Sequence, residues 1–293
     1  MKKSKKILTR ILQSFLKKFF TNSLYPYFLM LRTSKNFKRK INSEKKLNKF
    51  SNNLDEINKY EFKITSQNNE DGIIDYIFSK IPNDKYFIEI GFGYYECNSL
   101  NLIKNGWRGK LIDIDLDETV ALKSNLKKHF PESKIQVINT KVTKNNINEL
   151  IMKEGLNNKI DFFSLDIDSN DYWVLQSMDL SNVNVLCCEY NNWLGKNQKL
   201  TIPYDENFKF NDDGIWGVSI LALNDLLNLK GFSLIAVESS GTNAFFVKNN
   251  LAKNFEILSP SKSFKSVNRF YDEETKKRIF ENIKNNASKL VQI

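Results

Sequence analysis

Apolar residues near the start of the chain recur in pairs: Ile7 and Leu8, Ile11 and Leu12, Phe15 and Leu16, Phe19 and Phe20. A repeat of four predicts a helix with one apolar stripe, flanked by Lys6, Arg10, Gln13 and Lys17. The short run Leu24–Leu31 follows, and residues 33–60 are rich in Lys, Asn and Ser and read as a linker with weak helical character. From about residue 61 the pattern changes. Short apolar runs alternate with stretches of helical spacing, which predicts parallel strands joined by helical crossovers. Ser66 is placed to cap a helix through Gly72–Phe78 that Pro82 ends. Strands are predicted at Tyr86–Ile90, Trp107–Asp115, Ile135–Asn139, Ile160–Leu165 and Val183–Cys188. A helix over Ser219–Lys230 stops at Gly231, and Phe232–Val237 and Asn243–Val247 form a closing hairpin. Residues 272–291 predict a polar helix with no evident chemistry. The chain therefore divides into a basic amphipathic segment and linker (1–60), an α/β domain (61–258) and a C-terminal helical extension (259–293).

Charge sharpens that division. Residues 1–50 hold fifteen Lys/Arg and one acid, Glu44, so this segment carries +14 of a net +10 and the remainder is −4. A basic helix with Phe and Leu on its apolar face suits an anionic membrane surface, where each basic residue contributes about 1 kcal/mol. Packing of the stripe on the domain, or a nucleic-acid arm, are the competing readings. No run reaches the roughly 20 apolar residues that span a bilayer. Lysines interrupt the first apolar stretch and no small-residue cleavage site follows, so a signal peptide fits poorly. Cys97, Cys187 and Cys188 form neither a disulfide framework nor a CxxC metal spacing. They read as core thiols of a cytoplasmic protein, peripheral on the membrane if the first helix binds it.

Candidate chemistry gathers at the predicted strand ends. Tyr86–Ile90 runs into Gly91-Phe92-Gly93, a turn where a ligand can approach the backbone. A dinucleotide fingerprint wants a third glycine at position 96, which is Glu96. Glu89, two residues before Gly91, points instead to the E-x-G-x-G strand end of S-adenosylmethionine binding. The next strand ends in Asp113 and Asp115, placed to accept both ribose hydroxyls; helix capping is the structural alternative. The fourth and fifth strands deliver Asp166, Asp168, Glu189 and Asn191 to one edge. Carboxylates so gathered repel unless a proton or a cation sits among them, which predicts a Mg2+-type site at Asp166, Glu189 and Asn191. Caps and backbone clamps are again the alternative.

In this order, Ser66-Gln67…Glu70-Asp71-Gly72, Phe87–Gly93, Gly106–Gly109, Leu165–Tyr172, Cys188–Asn191 and Gly241–Val247 resemble the FkbM-like class I methyltransferases, in particular a bacterial subgroup associated with surface glycans. The resemblance spans about residues 65–255 and departs at Ser169, where the pattern has glycine. It implies a Rossmann-like α/β fold, a mainly parallel seven-stranded sheet with a final antiparallel strand and helices on both faces. It also implies S-adenosylmethionine over Gly91–Gly93, with Glu89 near its amino-acid portion, Asp113 on the ribose, Asp115 and Asp166 bordering it, and Gln67 reaching over from the preceding helix. The sole histidine, His129, sits at a predicted helix end on the surface, so the catalytic groups are Asp166, Asp168 and Glu189: a carboxylate base, or an acceptor oxygen held on a cation. O-methylation of a sugar or other polyol follows. A nucleic-acid methyltransferase using the basic arm would want basic residues around the catalytic loops, where Trp193, Tyr204 and Trp216 offer only stacking. A non-enzymatic membrane-associated scaffold would not need Glu89, Gly91, Gly93 and Asp113 intact.

Overall fold

The computed structural model describes residues 56–94, 96–152, 159–266 and 271–293, and before them Ser34, Phe37–Arg39, Asn42 and the strand Lys46–Leu47. The N-terminal apolar stripe lies outside the described residues.

The main sheet has seven strands: β1 (Tyr86–Ile90), β2 (Arg108–Asp113), β3 (Ile135–Asn139), β4 (Ile160–Leu165), β5 (Val183–Glu189), β6 (Phe232–Val237) and β7 (Asn243–Lys248). Their order across the sheet is β3-β2-β1-β4-β5-β7-β6, and only β7 is antiparallel to its neighbours. Burial follows that order. Every residue of β1 and β4 is buried, as largely apolar runs such as Phe-Ile-Glu-Ile and Phe-Phe-Ser-Leu predict for central strands, whereas the edge strand β3 is only partly covered.

Alternate residues feed two cores. Phe87, Phe162, Val185, Cys187 and Phe245 face the helices α1 (Glu70–Lys80), α2 (Leu100–Lys104) and α3 (Leu116–His129). Ile88, Phe163, Leu186, Cys188 and Phe246 face α4 (Ile147–Ile151), α5 (Asp171–Ser177) and α6 (Ile220–Leu229). Full burial of each large apolar side chain contributes about 1.5–3 kcal/mol, so this three-layer sandwich supplies most of the stabilisation. All three cysteines are buried within it.

Helix starts refine the sequence reading. Helix α1 begins at Glu70 rather than directly after Ser66. Ser66 instead trades hydrogen bonds with Asp71, whose Oδ2 accepts the Ile64, Thr65 and Ser66 N–H groups at 2.7, 2.7 and 2.9 Å. Ser219 caps α6 by accepting the Ala222 N–H. Two described residues of the predicted linker pack on the domain. Phe37 is fully buried and stacks on His129 with ring centroids 5.4 Å apart, and Ile57 enters the same core. His129 is accordingly half-buried, not a free surface residue, and burial lowers its pKa.

The C-terminal extension folds back on the connection between β5 and α6. Helix α7 (Pro260–Ser263) is followed by α8 (Glu273–Asn285), and Ile279 of α8 is fully buried with Trp193 and Trp216. Strand Val291–Gln292 then pairs antiparallel with Leu200–Thr201. The polar helix read from the sequence thus carries one apolar face that closes over residues 193–216.

Candidate functional site

The chain leaves β3 and crosses to the opposite side of β1 to form β4, so the loops after β1 and β4 diverge and leave a crevice at the C-terminal edge of the sheet. Gly91 stands at that point. Its N–H donates to Ile112 O at 3.0 Å, its φ is +79°, and a Cβ there would lie 1.6 Å from Asp166 O. Only glycine permits this approach of two backbones. Gly93 and Glu96 exchange backbone hydrogen bonds of 3.2 and 3.1 Å, closing a tight loop beside it.

Glu89 builds that loop. Its two carboxylate oxygens accept the Asn98 and Ser99 N–H groups at 2.8 Å each, and the Ser99 hydroxyl as well, at the start of α2. Burial pushes its pKa up to about 7 against these bonds. A place beside a ligand's amino-acid portion is expected from the sequence; the structure turns the carboxylate inward to the loop backbone.

Asp113 ends β2 on the other flank. Its Oδ2 accepts the Phe92 N–H at 3.1 Å and its Oδ1 the Asp115 N–H at 2.6 Å, so the loop after β1 and the start of α3 are tied to one side chain. It remains half-buried, each oxygen keeps acceptor capacity, and desolvation raises its pKa. Asp115 is different: exposed, it caps α3 by accepting the Asp117 and Glu118 N–H groups. Glu118, which no motif marks, accepts the Tyr94 N–H at 2.6 Å and completes the anchoring of this loop. Gln67 lies exposed in the loop before α1, not on that helix; Lys63 joins its carbonyl to the Glu96 carboxylate, which places it at the rim.

Strands β4 and β5 are parallel neighbours with Leu165 opposite Cys188, so Asp166 and Glu189 emerge side by side. Asp171 shapes the loop between β4 and α5, accepting the Ile167 and Ser169 N–H groups at 3.0 Å each. Between them Asp168 adopts φ +55°, and this left-handed turn brings its carboxylate back to the other two. The strained position is therefore Asp168 rather than Ser169, whose hydroxyl donates to Ile167 O at 3.0 Å. One oxygen of each of Asp166, Asp168 and Glu189 lies within 4.8 Å of the others. Burial, then mutual repulsion, drives Asp166 and Glu189 well above the carboxylate range, and burial with the nearby Asp171 charge brings Asp168 to about 6.

Asn191 is engaged by the loop that follows β5. Its amide nitrogen donates to Gly214 O and Trp216 O at 3.0 and 2.8 Å, and its oxygen accepts the Trp193 N–H at 2.9 Å. With both ends engaged, it pins the connection between β5 and α6. The wall beside the carboxylates comes from the tail. Tyr271 donates to Asp212 Oδ1 at 2.7 Å, packs edge-on to Trp193 at 5.1 Å, and has its pKa raised by burial and by the charges of Asp212, Glu189 and Asp168. Sequence reading assigned this tail no chemistry because a contact across some 80 residues leaves no local pattern.

The arrangement thus holds a glycine-lined backbone crevice, an acid at the end of β2, and three carboxylates on the opposite lip. A seven-stranded sheet in this order, with only the penultimate position reversed, decides the architecture. It is the Rossmann-like class I methyltransferase fold. No family model matches the chain, and no curated protein matches it. Among solved structures, magnesium protoporphyrin IX methyltransferase from Synechocystis PCC 6803 with bound SAM is similar at 12% identity over 61% of this chain and 77% of that one, with a TM-score of 0.38. An S-adenosylmethionine-dependent methyltransferase from Clostridium acetobutylicum is similar at 11% identity over 61% and 90%, TM-score 0.40. One from Methanosarcina mazei is similar at 14% over 59% and 94%, TM-score 0.39.

Proposed function

We propose that this chain is an S-adenosylmethionine-dependent methyltransferase acting on a hydroxyl of a sugar or other polyol, with a surface glycan as the acceptor class that the FkbM-like motifs favour. The observation that carries the reading is the turn at Gly91, where the backbones after β1 and β4 pack together at the crossover of the sheet, between Asp113 and Asp166. Asp113 retains the acceptor capacity to take ribose hydroxyls while its backbone bonds fix its orientation. Bound there, the cofactor supplies an electrophilic methyl on a sulfonium sulfur. The chain's own work is to orient the acceptor and remove its proton as the new O–C bond forms and the S–C bond breaks. Asp168, with a pKa of about 6 on the crevice lip, is suited to take that proton near neutral pH. His129 packs under Phe37 at the end of α3, where it meets none of the site's groups. Asp168 is this base in the cation-free chain; the Mg2+ assistance expected from Asp166, Glu189 and Asn191 would instead lower the acceptor's own pKa.

Calorimetric titration with S-adenosylmethionine, its demethylated product and NAD tests the cofactor. Micromolar binding of the first two and none of NAD is expected; the reverse overturns the reading. Transfer of a labelled methyl group to a panel of sugars and polyols then tests the acceptor class.

The basic segment serves as a peripheral membrane anchor in this reading. Among the described residues no helix is long and apolar enough to cross a membrane. The full chain should sediment with anionic vesicles, weakly with neutral ones, and less as salt rises. A chain beginning at residue 34 should lose this behaviour and still bind cofactor, because it retains Phe37 in the core. Should the shortened chain aggregate while the full chain ignores the vesicles, the stripe packs on the domain instead.

A further inference from the structure

We infer that Asp166, Asp168 and Glu189 bind a hard divalent cation of the Mg2+ or Mn2+ type on the lip of the crevice. Three observations converge. The carboxylate oxygens approach within 4.8 Å of one another, drawn from two parallel strand ends and a left-handed turn at Asp168. Among the described residues no Lys, Arg, backbone N–H or donor from outside the cluster meets any of the three; the hydrogen bonds there join Glu189 to Asp166 and to Asp168. Glu189 Oε2 is shut off from solvent and has no hydrogen-bond partner. Buried acids elsewhere in the chain are handled otherwise. Asp71, Glu89, Asp161 and Asp171 each accept two or more backbone N–H groups. Half-buried carboxylates set this close without outside donors repel one another, and a cation is the partner that satisfies three at once.

The donor set selects the metal class. Three carboxylate oxygens without nitrogen or sulfur favour Mg2+, Mn2+ or Ca2+ over Zn2+. Cys188 is fully buried in the core beneath Glu189 and offers no ligand here. Three protein oxygens leave coordination positions for water or for vicinal hydroxyls of an acceptor. That last role rests on the methyltransferase reading; the binding of the cation does not.

The test uses the full chain and Mn2+ alone, read by electron paramagnetic resonance and by thermal shift after EDTA treatment, with Mg2+ and Ca2+ as competitors. One ion per chain should bind at or below about 1 mM. Glu189→Gln and Asp168→Asn should each weaken it by at least about tenfold, while Glu149→Gln, an exposed acid on α4, should not. Titration of the same variants with S-adenosylmethionine in EDTA shows that they are folded. It also separates the two ideas, since cofactor binding without Mn2+ sinks the metal site alone, and Mn2+ binding without cofactor sinks only the methyltransferase reading. Failure of Mn2+ to bind at about 1 mM, or binding indifferent to both substitutions, overturns the inference.

Discussion

Asp71, buried in the first turn of α1, and Glu189, half-buried at the end of β5, are both carboxylates drawn away from water, yet they meet opposite surroundings. Asp71 gathers three backbone N–H groups and two hydroxyls from the turn before α1. Glu189 finds two other acids and leaves one oxygen with no partner. Asp71 shows how a protein uses a buried charge for itself: the chain supplies donors and the acid becomes the knot of a turn. The cluster around Glu189 shows what remains when the acids are assembled and the donors withheld. Glu238 stands between the two, accepting from Ser240 N–H and Asn69 but lying beside Glu70 and Glu61, which together with burial lift it to about 8.

Substitutions probe this contrast directly. Asp71→Ala releases two buried N–H groups and the half-buried one of Ile64, and should cost about 3–5 kcal/mol, read as a lower denaturant midpoint with unchanged slope; a cost under about 1 kcal/mol would remove Asp71 from the clamped class. The Glu238 shift predicts a pH dependence of stability. Its folded pKa lies above the unfolded one, so its contribution is complete below about 4.3 and declines as pH rises through about 8. Glu238→Gln should flatten that decline, by up to about 5 kcal/mol between the two limits, in denaturation measured along a pH series. Asp113→Ala should weaken S-adenosylmethionine by about 1–3 kcal/mol in calorimetry, and unchanged affinity would take Asp113 out of the cofactor site. Glu189→Gln should leave stability in EDTA unchanged or raise it by about 1 kcal/mol, since one of three repelling charges is gone. A clear loss would mean that Glu189 has a structural donor after all.

Much of the fold was legible along the chain because its signals are local. The largely apolar runs of β1, β4 and β5, the Gly91-x-Gly93 turn, Pro82 after α1 and Gly231 after α6 each act within a few residues. The site was legible only in part. That acids end β2, β4 and β5 can be read from the sequence, but which of them face a crevice cannot. Asp113 and Asp115 differ by two residues, and only their hydrogen bonds show one at the crevice and the other capping α3. Asn191 resembles a ligand by its position, and the loop carbonyls of Gly214 and Trp216 claim it. Glu118 and Tyr271 carried no motif, because each acts on a partner far away in sequence.

The order of residues by itself determined the strands, the crossover helices, the glycine turn and the concentration of acids at strand ends. These follow from side-chain hydrophobicity, backbone freedom and short-range spacing. Only the tertiary structure decided how each acid is used. Placing Glu89 against the Asn98 and Ser99 N–H groups spends it on the loop. The turn at Asp168 adds a third carboxylate to Asp166 and Glu189. The physical reason is that the free energy of a buried charge depends on the few donors within hydrogen-bond reach, and packing brings those donors from parts of the chain that the local pattern does not connect.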